Sequence, residues 1–243
     1  MKTVSTENSR SKTIIISAVM FTMGGCGLAY EYTLSKIASD ILGNSVQQWA
    51  IVIAVMLFCM GLGAELQRHI SNKRVVNALA VSQILLAVIG GYGSLAMLNI
   101  FSALPSHFAL VEYLLISVIG TLIGFEIPLL TRINEGFSED IKSNLARILK
   151  MDYVGALVGA LLWVFLLFRY FSMIQTGLIL GLTTLASTAA FLIAFRREVR
   201  HMLRFAAGMA LGTIILVVGL TMEQEWSLSA EQRLYRDRII FSN

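Results

Sequence analysis

The sequence predicts an all-α fold, a bundle of about seven helices that cross a membrane. Of the 243 residues, 56% are hydrophobic and only 14% are charged, which is too few charged side chains to cover the surface of a water-soluble domain. The apolar residues form runs of about 20, the length that a helix needs to cross a bilayer. Because these runs do not alternate between apolar and polar residues, the sequence argues against a transmembrane β-barrel.

Seven segments have the required length. They are residues 13–34, 47–66, 75–100, 108–131, 151–170, 174–195 and 202–222. This division predicts an N-terminal tail at 1–12, a transmembrane bundle at 13–222 and a C-terminal tail at 223–243. The connection at 132–150 has apolar residues on one side and basic residues elsewhere, which is typical of an amphipathic helix on the membrane surface.

The basic residues predict the orientation of the chain. Lys and Arg concentrate in the N-terminal tail and in the connections around 67–74, 132–150 and 196–201. By the positive-inside rule these segments are cytoplasmic, which predicts a multi-pass protein of the bacterial inner membrane with a cytoplasmic N-terminus. Seven crossings then place the C-terminal tail outside, in conflict with its three arginines. Since the positive charge follows the connections, we expect no nucleic-acid partner.

The sequence contains no recognisable catalytic or metal-binding motif. Cys26 and Cys59 lie inside apolar segments without CxxC spacing, and no histidine has a companion at ligand spacing. A phosphate loop, a nucleophile elbow and a dinucleotide fingerprint are absent. We therefore predict no catalytic residues and no metal site in this chain.

A carboxylate between two tyrosines, Tyr30-Glu31-Tyr32, ends the first apolar run. Glu31 follows Thr13 by 18 positions, or about 27 Å of helix, which predicts a place near the outer interface. One interpretation is an aromatic belt in which Glu31 reaches headgroup water or pairs with Lys36. The other is a site where the carboxylate and the rings receive an organic cation through charge and cation–π attraction.

Three other acids, Glu65, Glu126 and Asp152, are predicted at the opposite, cytoplasmic layer. Glu126 lies in GFEIPLLTRI, where Pro128 lacks a backbone donor and is expected to kink the helix and free a carbonyl. A free carbonyl beside a carboxylate favours a cation site. Asp152 has an alternative interpretation as a charge that complements the dipole at the start of the fifth segment.

Structural roles are predicted for several other polar residues. Arg68 and Arg132 are close in sequence to the cytoplasmic acids and could pair with them, with Glu65 and Arg68 forming a charge clamp at a helix end. Gln83 and Glu112, in the third and fourth segments, could line a cavity or form hydrogen bonds between helices.

Pairs of glycines four residues apart predict close helix packing. They are Gly120/Gly124, Gly155/Gly159, Gly177/Gly181 and Gly208/Gly212. Gly155 and Gly159, which follow Asp152 in the fifth segment, are the predicted packing face of that helix.

Three stretches resemble the membrane domain of the bacterial membrane-bound spermidine synthases, which are polyamine aminopropyltransferases. They are GLAYEYTLSKIASDILGNSVQQWAIVIAVMLFCMGLGAEL, GFEIPLLTRI and DYVGALVGALLWVFLLF, and they cover most of residues 24–168. The resemblance implies a helical membrane domain followed by a soluble domain. That domain transfers an aminopropyl group from decarboxylated S-adenosylmethionine to putrescine.

The end of the chain, EQRLYRDRIIFSN, resembles the lead-in to that soluble domain. The sequence stops before any glycine-rich cofactor loop or catalytic aspartate. We therefore expect this chain by itself to hold no cofactor and to catalyse no transfer, with decarboxylated S-adenosylmethionine implied as a substrate of the missing domain.

Three functions follow from these features. The first is a membrane domain that anchors an aminopropyltransferase domain or subunit and supplies it with a polyamine. The candidate ligand-binding residues are Tyr30, Glu31 and Tyr32 near the outer interface and Glu126 and Asp152 in the cytoplasmic layer. The second is a transporter-like module for polyamines or small cations, since the turn GLGAELQRHISNKR resembles the basic inner loop of major-facilitator transporters. The third is a structural anchor in the lipid bilayer that forms a homo-oligomer.

Overall fold

The structure is a computed structural model, and it describes residues 3–135, 141–199 and 201–233. Every regular element in these ranges is helical. The α-helices are α1 (Thr3–Leu42), α2 (Ser45–Leu66), α3 (Val75–Ala103), α4 (Phe108–Gly124), α5 (Glu126–Glu135), α6 (Ile141–Leu162), α7 (Phe168–Tyr170), α8 (Met173–Ala194) and α9 (Met202–Gln232). A π-helix, Trp163–Leu167, joins α6 to α7.

Seven helical segments of the described chain are long and apolar enough to cross a membrane, which confirms the predicted fold class. The first and last helices are longer than predicted. Helix α1 runs from Thr3 to Leu42 instead of 13–34, and α9 continues to Gln232 instead of ending at 222. The prediction followed apolar runs, whereas backbone hydrogen bonding continues through the polar residues beyond them.

Side-chain contacts show which connections share an end of the bundle. Lys12, near the start of α1, forms an ion pair of 2.5 Å with Glu198 in the connection between α8 and α9. Arg132 of α5 donates to the carbonyl oxygens of Gln67 and Ile70, at 3.1 and 2.7 Å, in the connection between α2 and α3. We call this the amino-terminal end of the bundle, and the opposite one the far end.

The contacts of Arg132 correct its predicted role. Its guanidinium also donates to the side chains of Gln67 and Asn72, so all its partners are neutral groups of one connection. Arg132 therefore fixes the shape of this connection instead of neutralising one of the acids.

Helix α1 occupies the middle of the bundle and contacts α2, α3, α5, α6 and α8. Its closest neighbour is α6. A Cβ atom on Gly155 would lie 1.9 Å from the carbonyl oxygen of Phe21, and one on Gly159 would lie 2.4 Å from that of Gly25. The backbones of the two helices are thus in direct contact, which only glycine allows at these two positions.

Two other helix pairs pack in the same way. A Cβ atom on Gly124 of α4 would lie 2.2 Å from the carbonyl oxygen of Met60 of α2, and one on Gly181 of α8 would lie 2.5 Å from that of Ala87 of α3. Close backbone approach is a common means of helix association in a membrane, where burial of apolar side chains contributes little.

The predicted surface helix at 132–150 is wrong. Helix α5 ends at Glu135 and α6 starts at Ile141, so residues 141–150 are the first turns of a helix of the bundle; residues 136–140 lie outside the described chain. The apolar side of this segment contributes to the core, where Ile148 is 1% exposed. An amphipathic pattern shows that one side is covered, but protein and lipid can both cover it.

The far end of α9 is held against the start of α8 by Glu223. This carboxylate is buried and accepts hydrogen bonds from the Ser172 hydroxyl and the Gln175 side-chain amide, both at 2.7 Å. The same two residues form the capping box of α8. Glu223 lies one residue beyond the predicted bundle, and sequence reasoning missed it.

Replacing Glu223 with alanine is expected to lower the free energy of unfolding by about 2 kcal/mol, because two donors at the start of α8 lose a buried, charged acceptor beside the helix N-terminus. Thermal unfolding in detergent measures this. Glu225→Ala is the control, since Glu225 is exposed two residues away. Equal losses in the two variants would show that the Glu223 contacts do not stabilise the bundle.

Candidate functional site

A buried polar cluster lies where the fourth membrane-spanning segment is interrupted. Helix α4 ends at Gly124, Phe125 is in a turn, and α5 begins at Glu126. The Glu126 carboxylate is 2% exposed and accepts a hydrogen bond of 2.8 Å from the side-chain amide of Gln83, which is fully buried in α3. The site therefore joins two helices through a carboxylate in the core of the bundle.

The local sequence explains why the helix is interrupted here. Pro128 has no N–H group and cannot donate to the Gly124 carbonyl, four residues earlier. Gly124 itself packs directly on the backbone of Met60. As the first residue of α5, Glu126 places its negative charge at the positive end of that helix dipole.

Helix α1 adds Tyr30 and Cys26 to the cluster, and α8 adds Thr184. The Tyr30 ring lies against Gly90 of α3, where a Cβ atom would be 2.8 Å from ring atom Cε1. Glu126 is within electrostatic range of the Tyr30 phenol and the Cys26 thiol, and both groups lie beside the Thr184 side chain. Four helices thus contribute polar side chains to one buried site.

Two polar atoms of this cluster have no hydrogen-bond partner among the described residues. They are the hydroxyl of Tyr30 and the side-chain oxygen of Gln83, and both residues are buried. The Thr184 hydroxyl donates to the Leu180 carbonyl at 2.9 Å, which leaves its oxygen able to accept a hydrogen bond. The site thus offers acceptors in Glu126, Gln83 and Thr184 and donors in Tyr30 and Cys26.

Asp152 lies close to the same site. A Cβ atom on Gly24 would be 2.5 Å from the carboxylate oxygen Oδ1 of Asp152, and the charge of Asp152 is within range of Glu126. The interpretation of Asp152 as a charge at a helix N-terminus is wrong, because α6 begins at Ile141 and Asp152 lies well inside it. The structure thus brings two of the predicted acids towards one another.

No described Lys or Arg forms an ion pair with Glu126. A buried carboxylate away from water is stable only when it is protonated or when a cation lies beside it. The described residues contain no group of three His, Cys, Asp or Glu placed to hold a metal ion. A carboxylate in this position is therefore suited to holding a proton or a cation.

Tyr32 does not share a site with Tyr30. Its ring packs against Trp49 of α2 and against Trp163 of the π-helix, with ring centroids 5.4 and 5.5 Å apart. The indole N–H of Trp163 donates to the Thr33 hydroxyl at 2.8 Å. Side chains two positions apart on a helix point in nearly opposite directions, so the two tyrosines belong to different contacts.

Glu31 lies deeper in the bundle than the sequence predicted. Because α1 continues for 11 residues beyond Glu31, the carboxylate is about 16 Å from the far end of the helix. Lys36, its predicted partner, pairs instead with Asp40 and lies 5.8 Å from the centre of the Phe168 ring. Glu31 is partly exposed and has no ion pair with any described residue.

Glu65 and Arg68 form an ion pair at the carboxyl end of α2, which lies at the amino-terminal end of the bundle. Both side chains are more than half exposed, at 59% and 64%. An exposed pair of this kind contributes little to stability. Glu65 is thus separate from the buried site, although it lies at the same end of the bundle as predicted.

A second buried carboxylate was predicted only as a minor feature. Glu112 of α4 is 1% exposed, and neither of its carboxylate oxygens has a hydrogen-bond partner in the described chain. The contacts of Met56 with Gly120 and of Met60 with Gly124 set the α2–α4 register, which places Gln48 at the level of Glu112. The signal in the sequence was a single charge in the apolar run FALVEYLLISVIG.

Curated bacterial proteins named polyamine aminopropyltransferase are similar to this chain. One from Oceanobacillus iheyensis is 33% identical over 88% of this chain and 42% of its own length. One from Ralstonia nicotianae is 31% identical over 96% of this chain and 46% of its own length. One from Aquifex aeolicus is 32% identical over 91% of this chain and 44% of its own length. The chain therefore spans less than half of each relative. No protein-family model matches it, and no solved structure matches it significantly.

Proposed function

We propose that this chain, which belongs to the family of the bacterial polyamine aminopropyltransferases, is a membrane-embedded domain that binds a polyamine-class cation at Glu126. The observation that carries the proposal is the burial of Glu126 without a basic partner among the described residues. A protonated amine supplies both the missing charge and the missing donors.

The surroundings of Glu126 suit an ammonium group. Such a group has three donors and no acceptor, and the Glu126 carboxylate and the Gln83 side-chain oxygen can both accept from it, since that oxygen has no hydrogen-bond partner in the described chain. A polyamine carries further ammonium groups along its length, and Asp152 offers a second negative charge within range of the first. These contacts support a ligand with at least two positive charges.

The domain would anchor an aminopropyltransferase at the bilayer and supply it with polyamine. In this proposal the transferase is a further domain or a separate subunit that uses decarboxylated S-adenosylmethionine. The similarity of this chain to less than half of each polyamine aminopropyltransferase supports such a division. In this proposal the role of the candidate site is to bind the ligand.

Equilibrium dialysis of the chain, purified in detergent, against radiolabelled spermidine tests the proposal. We expect saturable binding of one spermidine per chain that sodium chloride weakens only modestly, because a buried charge is poorly screened. The absence of saturable binding would contradict the proposal.

Two observations favour a transporter-like module as the second candidate. The fourth membrane-spanning segment is discontinuous at Phe125, and the two buried acids Glu112 and Glu126 lie about 21 Å apart along it. A transporter is expected to take up spermidine into proteoliposomes, and substitution of either Glu112 or Glu126 is expected to change that uptake. Binding without uptake favours a domain that only holds the ligand, and the absence of both leaves a structural anchor.

We also propose that the N-terminus is cytoplasmic in the bacterial inner membrane, which follows from the basic connections at the amino-terminal end. Cysteines introduced at Ser71 and Ser229, both exposed and at opposite ends, are then expected to react from opposite sides. A membrane-impermeant maleimide applied to spheroplasts should label Ser229→Cys but not Ser71→Cys. Cys26 and Cys59 are buried and serve as the unlabelled background. Labelling of both variants from one side would contradict seven crossings.

A further inference from the structure

A cavity of about 860 Å³ lies at the amino-terminal end of the bundle, and neither Glu126 nor Gln83 lines it. Its rim is formed by the connection between α2 and α3 and by the residue that precedes α9. Four of the side chains on this rim are basic or histidine, namely His69, Lys73, Arg74 and His201. All four are exposed.

An adjoining cavity of about 460 Å³ extends the first one along α3 towards α9. The two cavities share Asn77, Val81, Leu85 and His201, and the second adds Arg204 of α9. Together they form one groove on the outside of the bundle, which we call the α3–α9 groove.

The charged side chains of the α3–α9 groove are all basic among the described residues. None of the described residues that line it is acidic. Lys73, Arg74 and Arg204 form no ion pair within the described chain, whereas Lys12 and Arg68 at the same end are each paired with a glutamate. Three unneutralised cations on one groove favour an anion as the occupant.

Two helix starts add to this positive charge. Helix α9 begins after His201, which has a φ of 71° and does not cap the helix with its side chain. The turn Asn72–Arg74 that leads into α3 also has no side-chain cap. The free N–H groups and the dipoles of two long helices are therefore directed towards the groove.

The polarity of the groove changes with depth. The basic residues lie at the helix ends, where headgroups are found, while Val81, Leu85, Leu122 and Phe125 line the part that extends into the apolar length of the helices. A soluble anion would fit only the first part. An amphiphile with a phosphate group and acyl chains fits both.

We propose that the α3–α9 groove binds an anionic phospholipid, with the phosphate held by Lys73, Arg74 and Arg204 and an acyl chain lying along Val81 and Leu85. Arg132 supports this site indirectly, because its hydrogen bonds to Gln67 and Ile70 hold the connection that carries Lys73 and Arg74. The proposal does not depend on polyamine binding at Glu126. It also explains why a polycation would not approach Glu126 through this groove.

The test uses the detergent-purified chain and native mass spectrometry with dioleoylphosphatidylglycerol and dioleoylphosphatidylcholine as probes. We expect the phosphatidylglycerol adduct to form at least 10-fold more readily. The variant with Lys73→Gln, Arg74→Gln and Arg204→Gln should lose on the order of 100-fold in phosphatidylglycerol affinity, from about fivefold for each basic residue. All three residues are exposed, so the variant is expected to fold.

A matched control removes the same number of charges from the same end of the bundle. It carries Arg147→Gln, Lys150→Gln and Arg196→Gln, three exposed residues that line neither cavity. If this control keeps its affinity for phosphatidylglycerol, the result supports the α3–α9 groove as the lipid-binding site. Equal losses in the two triple variants, equal binding of the two lipids, or displacement of phosphatidylglycerol by millimolar inorganic phosphate would each overturn the proposal.

Discussion

Replacing Gly155 with alanine lowers the free energy of unfolding by about 3 kcal/mol, the largest effect on stability that we expect from a single added methyl group. The new Cβ atom would lie 1.9 Å from the carbonyl oxygen of Phe21, and neither backbone can yield locally because both atoms belong to regular helices. The only relief is separation of α1 from α6. That separation would also move Asp152, three residues from Gly155, away from Gly24.

Reversible unfolding in mixed micelles, followed by circular dichroism, measures this loss. Gly61→Ala is the matched control, since a Cβ atom on Gly61 of α2 would meet no atom of the described residues within 4 Å, and we expect it to be neutral or slightly stabilising. A change below about 1 kcal/mol for Gly155→Ala, comparable with that for Gly61→Ala, would show that α1 and α6 do not pack through their backbones.

The seven membrane-spanning helices could be predicted from the sequence because the bilayer imposes a local rule. Each crossing needs about 20 apolar residues, and that length can be counted without knowledge of any neighbour. The ends of α1 and α9 could not be counted in the same way. Residues 3–10 and 223–232 are helical but polar, so no apolar run marks them.

The sequence does not predict which helices lie next to one another, and the candidate site depends on that arrangement. Glu126 and Pro128 were recognised from their local context, but the partner of Glu126 is Gln83, 43 residues away on α3. Periodicity alone shows that Tyr30 and Tyr32 point to opposite sides of α1. It does not show that Tyr30 lies against Gly90 of α3 while Tyr32 lies against Trp163.

The glycine pairs also show that the sequence does not predict which helices are in contact. In Gly155/Gly159 and Gly177/Gly181 each Cβ atom would meet the backbone of a neighbouring helix within 3 Å. Around Gly208 and Gly212 a Cβ atom would meet only side-chain atoms, at 3.8 and 3.3 Å. All these pairs have the same spacing in the sequence, and only the position of the neighbouring helix distinguishes them.

Replacing Glu126 with glutamine lowers the affinity for spermidine by about 100-fold, the loss expected when a buried ammonium group loses its carboxylate. Glutamine has nearly the same volume, and its side-chain oxygen can still accept the hydrogen bond from Gln83. The substitution therefore removes the charge with little disturbance of the packing. Tyr30→Phe removes one neutral acceptor and should weaken binding only about fivefold.

Equilibrium dialysis of spermidine against the wild-type chain, Glu126→Gln and Glu65→Gln tests the central claim most directly. Glu65 is an exposed carboxylate at the same end of the bundle, already paired with Arg68, so its substitution changes the net charge equally. The account predicts that Glu65→Gln binds spermidine as the wild type does and that Glu126→Gln loses about 100-fold in affinity. Equal affinities for the two variants would contradict a polyamine site at Glu126.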